Sequence, residues 1–222
     1  MIPPSVFIPI AEHSGLIVAL GNWVLQRACS QMRQWIDADI APALMAVNVS
    51  VLQFKTPFAL EEEIARILAT TALQPHFLEL ELTESVLMDV SRAHNDALLR
   101  LRAAGYRIAI DDFGTGYSSL EYLGRYPVDR IKIAESFIAD LTSTSGNAVI
   151  VKAAIGLAHQ LKLDVVVEGV ATAEQLQLVR SWGCHKVQGY YYSRPLPPEE
   201  LSALLRVGRI LPAHSDALVA AG

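Results

Sequence analysis

The stretch Phe77-Leu78-Glu79-Leu80-Glu81-Leu82 alternates apolar and acidic residues without a break, which is the period of a β-strand. Arg107–Asp111 (RIAID), Asp129–Ile133 (DRIKI), Asp164–Glu168 (DVVVE) and Lys186–Tyr191 (KVQGYY) follow at regular intervals, and Leu44–Val49 (LMAVNV) precedes. Helical spacing fills the gaps between them. Leu16, Leu20, Trp23, Val24, Ala28, Met32, Trp35 and Ile36 predict a helix over 16–37. Further helices are predicted over 60–70, 90–104 (stopped by Gly105), 118–124, 146–161, 173–182 and 198–206, the last with a proline at its start. Six strands alternating with helices imply an α/β chain with a parallel sheet and crossover helices, an architecture of the (β/α) barrel kind.

The composition agrees with one domain. The chain has 222 residues, 52 % of them hydrophobic and 18 % charged, so it can fill a core and is not disordered. Its net charge of −5, with no Lys/Arg run, excludes a DNA- or RNA-coating protein. Cys29 and Cys184 read as buried, reduced thiols. The N-terminus lacks the pattern of a signal peptide, and no apolar run is long enough to span a bilayer. The expected location is the cytoplasm, either alone or as the cytoplasmic part of a larger, membrane-bound signalling protein. Residues after Gly208 show no clear period and read as a tail, which sets the expected domain at 1–207 and the tail at 208–222.

Each strand ends on a polar group. These are Asn48, Glu81 (with Glu84 in the loop beyond), Asp111-Asp112, Lys132, Glu168 and Gln188. In a β/α barrel the C-terminal rim of the strands is where sites are built, so these side chains are expected to converge. Parity places Glu79 and Glu81 on the face opposite Leu78, Leu80 and Leu82. Carboxylates with an amide are hard oxygen ligands, suited to Mg²⁺ or Mn²⁺. The six histidines are scattered and show no zinc spacing. Adjacent aspartates can bridge two cations, and a nearby lysine can steady a phosphate or a nucleophilic water. Each residue also has a plainer reading: Asp111-Asp112 as a turn, Glu79 or Glu81 as a solvated face, Lys132 as a surface lysine.

The loop Asp111–Leu120 reads DDFGTGYSSL. With VNVS (47–50), ELTES (81–85), IKI (131–133), VEGV (167–170) and QGYYYSRPLP (188–197), it resembles the EAL domain, the bacterial phosphodiesterases that linearise cyclic di-GMP to pGpG. The resemblance runs from about Val6 to about Leu205. It implies a TIM-type barrel and a two-metal site loaded with Mg²⁺ or Mn²⁺. By resemblance Asn48, Glu81 and Asp111 ligate the first cation, Asp111 bridges to the second, and Asp112 and Glu168 complete that one. Lys132 would position the attacking water or the phosphate, Glu168 would handle the water's proton, and Gln188 would orient water or ligand. Glu84 would tether the loop Phe113–Ser119, with Gly114 and Gly116 supplying unusual backbone angles, and the same loop is implied in a homodimer interface.

The sequence also departs from that pattern. The Glu-Ala-Leu signature, with its metal-ligating glutamate on the family's second strand, would lie before Met1. Six strands therefore imply an incomplete barrel without the first two family strands. Two unpaired edges would result, leaving the barrel open or covered in part by a segment such as Met1–Val6. Ala134 stands where the family usually has Asp, Ala171 where it has a second Glu, Glu135 where it has a basic residue, and His185 where it has Asp. These departures predict impaired hydrolysis, and they support the alternative of a non-catalytic module that binds cyclic di-GMP or a protein.

Overall fold

The computed structural model describes residues 2–84, 86, 92–116, 123–124 and 126–208. Within them lie eight α-helices and six strands: α1 Pro4–Ser14, α2 Leu16–Asp37, β1 Met45–Val49, α3 Val51–Phe54, α4 Pro57–Thr71, β2 Leu78–Thr83, α5 Arg92–Ala103, β3 Arg107–Phe113, β4 Arg130–Ile133, α6 Gly146–Gln160, β5 Asp164–Val167, α7 Ala173–Ser181, β6 Lys186–Val187 and α8 Pro198–Val207. Strand order in the sheet follows the chain, β1 to β6. The pairs β1–β2, β4–β5 and β5–β6 are parallel. Contacts divide the chain into two compact units, Met1–Ala109 with Glu121–Val128, and Ile110–Leu120 with Asp129–Gly222.

In the first unit, α2 buries Ile17, Gly21, Leu25, Cys29, Met32 and Trp35, a stripe at intervals of four and three residues. This corrects the sequence reading, which chose a face containing Leu16, Trp23 and Val24. Trp23 is 60 % exposed, and Leu16 and Val24 are exposed with it. The stripe through Ile17 and Leu25 lets Gly21 admit a close neighbour, since a Cβ there would lie 2.2 Å from Gln53 Oε1. Gln53 is buried, donates from its amide to Asn22 Oδ1 at 3.1 Å, and closes a capping box with Ser50. That box starts α3, a short helix absent from the sequence reading. Also unforeseen is α1, which packs on α2 yet buries none of its own residues. Of the segment expected to cover an edge, Pro4 to Val6 belong to this helix.

β2 is buried on both faces: Leu78, Leu80 and Leu82 on one, Glu79 (1 % exposed) and Glu81 (6 %) on the other. The solvated-face reading of the two glutamates is overturned. β1 alternates instead, with Val47 and Val49 buried and Ala46 and Asn48 exposed.

In the second unit, β4, β5 and β6 are tied at their starts by charge. Asp164 accepts from Lys186 at 2.7 Å and from Arg130 at 3.2 Å. Burial raises the Asp164 pKa, but these two bonds outweigh it and hold the carboxyl below its ordinary range. α6 buries Ala148, Val151, Ala154, Ile155 and Ala158, and the core beneath it includes Ile131, Ile133, Val165 and Val167. The predicted strand over 186–191 is shorter, stopping at Val187. Gln188 still accepts from the Val170 amide, but the chain then turns at Gly189, whose carbonyl accepts from Tyr192. The predicted helix over 118–124 lies largely outside the described residues, as do residues 209–222. Cys29 and Cys184 are buried free thiols, and burial pushes Cys29 up to about 11.

Candidate functional site

The parallel register sets Asn48 beside Glu81, so in the first unit the ends of β1 and β2 present an amide and a carboxylate as neighbours on one face. Glu81 is buried and Asn48 is open. Glu84, just past β2, is half-buried. The loop it was expected to tether is described only as far as Gly116. Gly114 there has φ +95, as expected of it.

The second unit gathers three of the expected residues directly. Lys132 Nζ stands 2.9 Å from Asp111 Oδ1 and 2.8 Å from Glu168 Oε1. All three are withdrawn from water, Lys132 to 5 % exposure, so the surface-lysine reading is overturned. Main-chain bonds explain the placement. The β4–β5 ladder continues one step past the strands, where the Glu168 amide donates to the Ile133 carbonyl at 3.0 Å. The Gln188 amide in turn donates to the Val167 carbonyl at 2.9 Å. Lys132, Glu168 and Gln188 are thus fixed on adjacent strand ends by backbone rather than by long side chains.

Asp112 behaves differently from Asp111. Its φ is +53, a left-handed conformation that Asp tolerates better than most residues. Its carbonyl accepts from both the amide and the hydroxyl of Thr115, which seals the turn that ends β3. Desolvation and then the adjacent Asp111 push the Asp112 carboxyl up, with Lys132 opposing them. The loop after β5 is braced from below. Gln175 is buried, accepts from the amides of Ala171 and Thr172, and donates to the Ile138 carbonyl at 2.8 Å.

Asp111, Asp112 and Glu168 carry three carboxylates against the Lys132 ammonium, and such a surplus of negative charge on hard oxygen donors fits a divalent cation. Among the described residues, however, no group of three or more His, Cys, Asp or Glu side chains is gathered into a ready cation cage. In the second unit the Lys132 ammonium lies within 3 Å of both Asp111 and Glu168. Ala134 and Ala171, at the ends flanking Glu168, add no donor. Ala134 is buried.

Beside this cluster, also within the second unit, is a cavity of about 450 Å³. Its lining includes Glu168 and Gln188, and with them Glu135, Tyr190 and Arg194. None of these last three was assigned a role from sequence: Glu135 stood out only as a departure, and Tyr190 and Arg194 only as part of the motif QGYYYSRPLP.

The family description of the EAL domain matches residues 1–195. The chain belongs to the EAL domain family. Over 203 residues it is 44 % identical to the Pseudomonas aeruginosa bifunctional diguanylate cyclase/cyclic di-GMP phosphodiesterase MucR, covering 91 % of this chain and 30 % of MucR. It is 42 % identical to cyclic di-GMP phosphodiesterase NbdA of the same organism, over 94 % of this chain and 27 % of NbdA. It therefore spans about a third or less of these curated relatives. The solved MucR phosphodiesterase in complex with c-di-GMP superposes with a TM-score of 0.86, covering 90 % of this chain and 81 % of that one. The Klebsiella pneumoniae BlrP1 manganese/cy-diGMP complex matches at 28 % identity and a TM-score of 0.72, over 80 % of this chain and 45 % of BlrP1. These EAL neighbours establish the fold class as α/β and TIM-barrel-like. No described helix is long and apolar enough to cross a membrane.

Proposed function

We propose that this EAL domain is a cyclic di-GMP phosphodiesterase that uses Mg²⁺ or Mn²⁺ to hydrolyse one phosphodiester and release linear pGpG. The observation that carries the reading is the buried Asp111–Lys132–Glu168 cluster at the ends of three strands. MucR and NbdA, which bear phosphodiesterase names, and the manganese complex of BlrP1 support it. Asn48, Glu81 and Asp111 would hold one cation, and Asp111, Asp112 and Glu168 the other. Bound there, the cations would polarise the phosphodiester and make hydroxide available at neutral pH. The chain's own groups do the rest. Lys132 holds Asp111 and Glu168 in place and offers its ammonium to a phosphate oxygen. Glu168 takes the proton of the attacking water at its carboxylate. Gln188, fixed beside Glu168 through its backbone, orients water or the ribose-phosphate. Glu84 acts on the loop Phe113–Ser119, through which a homodimer would form.

A second reading, a module that binds cyclic di-GMP without cleaving it, is favoured by Ala134 and Ala171, which leave the surroundings of Glu168 without two carboxylates. Loss of such supporting groups typically costs about 10–100-fold in metal affinity or activity. One assay separates the readings: the protein is incubated with cyclic di-GMP and Mn²⁺ while pGpG is followed. Slow product formation that stops with a chelator and in Glu168→Gln supports the phosphodiesterase. Binding without product, in the wild type and in Ala134→Asp alike, supports the module. Neither binding nor product refutes both.

A further inference from the structure

The loop that carries Glu168 is held differently on its two sides. Toward β6 it is tied by main chain: the Val170 amide donates to the Gln188 carbonyl at 3.1 Å, and the Tyr191 amide to the Val170 carbonyl at 3.0 Å. Toward β4, among the described residues, main-chain bonding ends where the Glu168 amide meets the Ile133 carbonyl. Gly169, with φ +71, then lies close against the 3₁₀ turn Glu135–Phe137, where a Cβ on it would come 2.4 Å from Glu135 Cγ. Beyond that point a side chain joins loop and turn. Gln175, buried in the first turn of α7, accepts through Oε1 from the Ala171 amide at 2.8 Å and the Thr172 amide at 3.1 Å. Its Nε2 donates across to the Ile138 carbonyl at 2.8 Å. Ile138 is itself fully buried, and its amide donates to the Glu135 carbonyl at 2.8 Å.

A glutamine at the third position of a helix closes a capping box with its accepting oxygen alone, as Gln175 does with Thr172. The Nε2 bond to Ile138 lies outside that motif and adds nothing to the start of α7. What it does is fix the separation between the turn that follows Lys132 and the loop that follows Glu168. Ala171 brings only main-chain groups to this loop, so the glutamine amide carries the link. Groups that orient a metal ligand without touching the metal matter for affinity nearly as much as the ligands themselves. We propose that Gln175 is a positioning residue for Glu168. By joining loop to turn, it holds the Glu168 carboxylate where it can share a cation with Asp111 and Asp112. This rests on the cation-dependent reading above and adds to it the residue that sets the position of one ligand.

The test measures Mn²⁺ affinity by electron paramagnetic resonance, with a urea melt beside it, in wild type, Gln175→Met, Gln175→Glu and Thr172→Ala. Gln175→Met removes every side-chain bond. Gln175→Glu keeps the accepting oxygens, and with them the capping box, but has no N–H for Ile138. Thr172→Ala removes the hydroxyl that accepts from the Gln175 amide at 3.2 Å and spares the bond to Ile138. It therefore weakens α7 without releasing the loop. Gln175→Met and Thr172→Ala should both melt at lower urea than the wild type. Both Gln175 variants should bind Mn²⁺ about tenfold more weakly, whereas Thr172→Ala should stay within about twofold of the wild type. Gln175→Glu decides alone if Gln175→Met does not fold. An equal loss in Thr172→Ala and the Gln175 variants, or wild-type affinity in Gln175→Glu, overturns the positioning role and leaves the phosphodiesterase reading standing. No saturable Mn²⁺ uptake by the wild type overturns both.

Discussion

Asn48 and Glu81 end β1 and β2 in the first unit, and Asp111, Lys132 and Glu168 end β3, β4 and β5 in the second; the two groups are secured differently. In the second, charge is buried with charge. Lys132 reaches both carboxylates within 3 Å, and main-chain bonds carry the β4–β5 and β5–β6 ladders one residue further. In the first, Glu81 is buried on a strand covered on both sides, but its neighbour Asn48 lies on a face of β1 that is open. The difference separates two roles that an alignment of motifs merges. A residue such as Lys132 supports the fold as well as the chemistry proposed for it, because burying a carboxylate without a counter-charge is costly. A residue such as Asn48, exposed on its strand, gives the fold almost nothing, and the role proposed for it is chemical alone.

The contrast predicts opposite outcomes for substitutions at the two places. Lys132→Ala leaves two carboxylates buried without their ammonium and should cost about 3–5 kcal/mol of stability in urea melts. Added Mn²⁺ should recover part of that loss, since a cation can take the vacated place. A loss below about 1 kcal/mol would put Lys132 with Asn48 rather than opposite it.

Next in size is Asp164→Asn, at the far ends of β4–β6. Burial alone would raise the Asp164 pKa, yet the bonds from Lys186 and Arg130 leave its folded value below its unfolded one. Its contribution is therefore complete above the unfolded carboxyl range, near pH 4. It disappears as pH falls through the lower folded value. The carboxylate is more than a third exposed, so solvent screening limits the effect at pH 7 to about 1 kcal/mol or less. Melting curves of the wild type and Asp164→Asn should converge on acidification. A gap that widened toward low pH would reverse the assignment.

The smallest effect on stability belongs to Asn48→Ala, within about 0.5 kcal/mol, as for exposed positions generally. Formation of pGpG should nonetheless fall. Unchanged turnover in Asn48→Ala would remove Asn48 from the site.

Much of the fold was legible because apolar periodicity records which face of an element is covered. The helix over 16–37 and the strands at 45–49, 78–83 and 164–167 were read nearly to their ends. The errors have local causes. In α2 nearly every turn offers apolar residues on two faces, and only packing chose Ile17 and Leu25 over Leu16 and Trp23. α1 contains Pro9 and buries nothing, so no stripe announced it. The strand after Lys186 was overextended because Tyr190 and Tyr191 favour strands, whereas the turn begins at Gly189. α3 was missed although Ser50 and Gln53 are spaced as a capping box. For the site, strand-end positions identified Asp111, Lys132 and Glu168, but parity alone could not show that a lysine would bridge two carboxylates. Nor could it show that Asp112, one residue before the end of β3, adopts φ +53. Glu135 and Arg194 are 59 residues apart in the chain, and their shared cavity exists only in the fold.

The claim that the strand-end carboxylates are a cation site is tested most directly by titrating the protein with Mn²⁺, following free Mn²⁺ by electron paramagnetic resonance, in the wild type and in Asp111→Asn. The account predicts saturable uptake by the wild type and its loss in Asp111→Asn, with the variant still folded. Equal uptake by the two proteins, or none by the wild type, would contradict it.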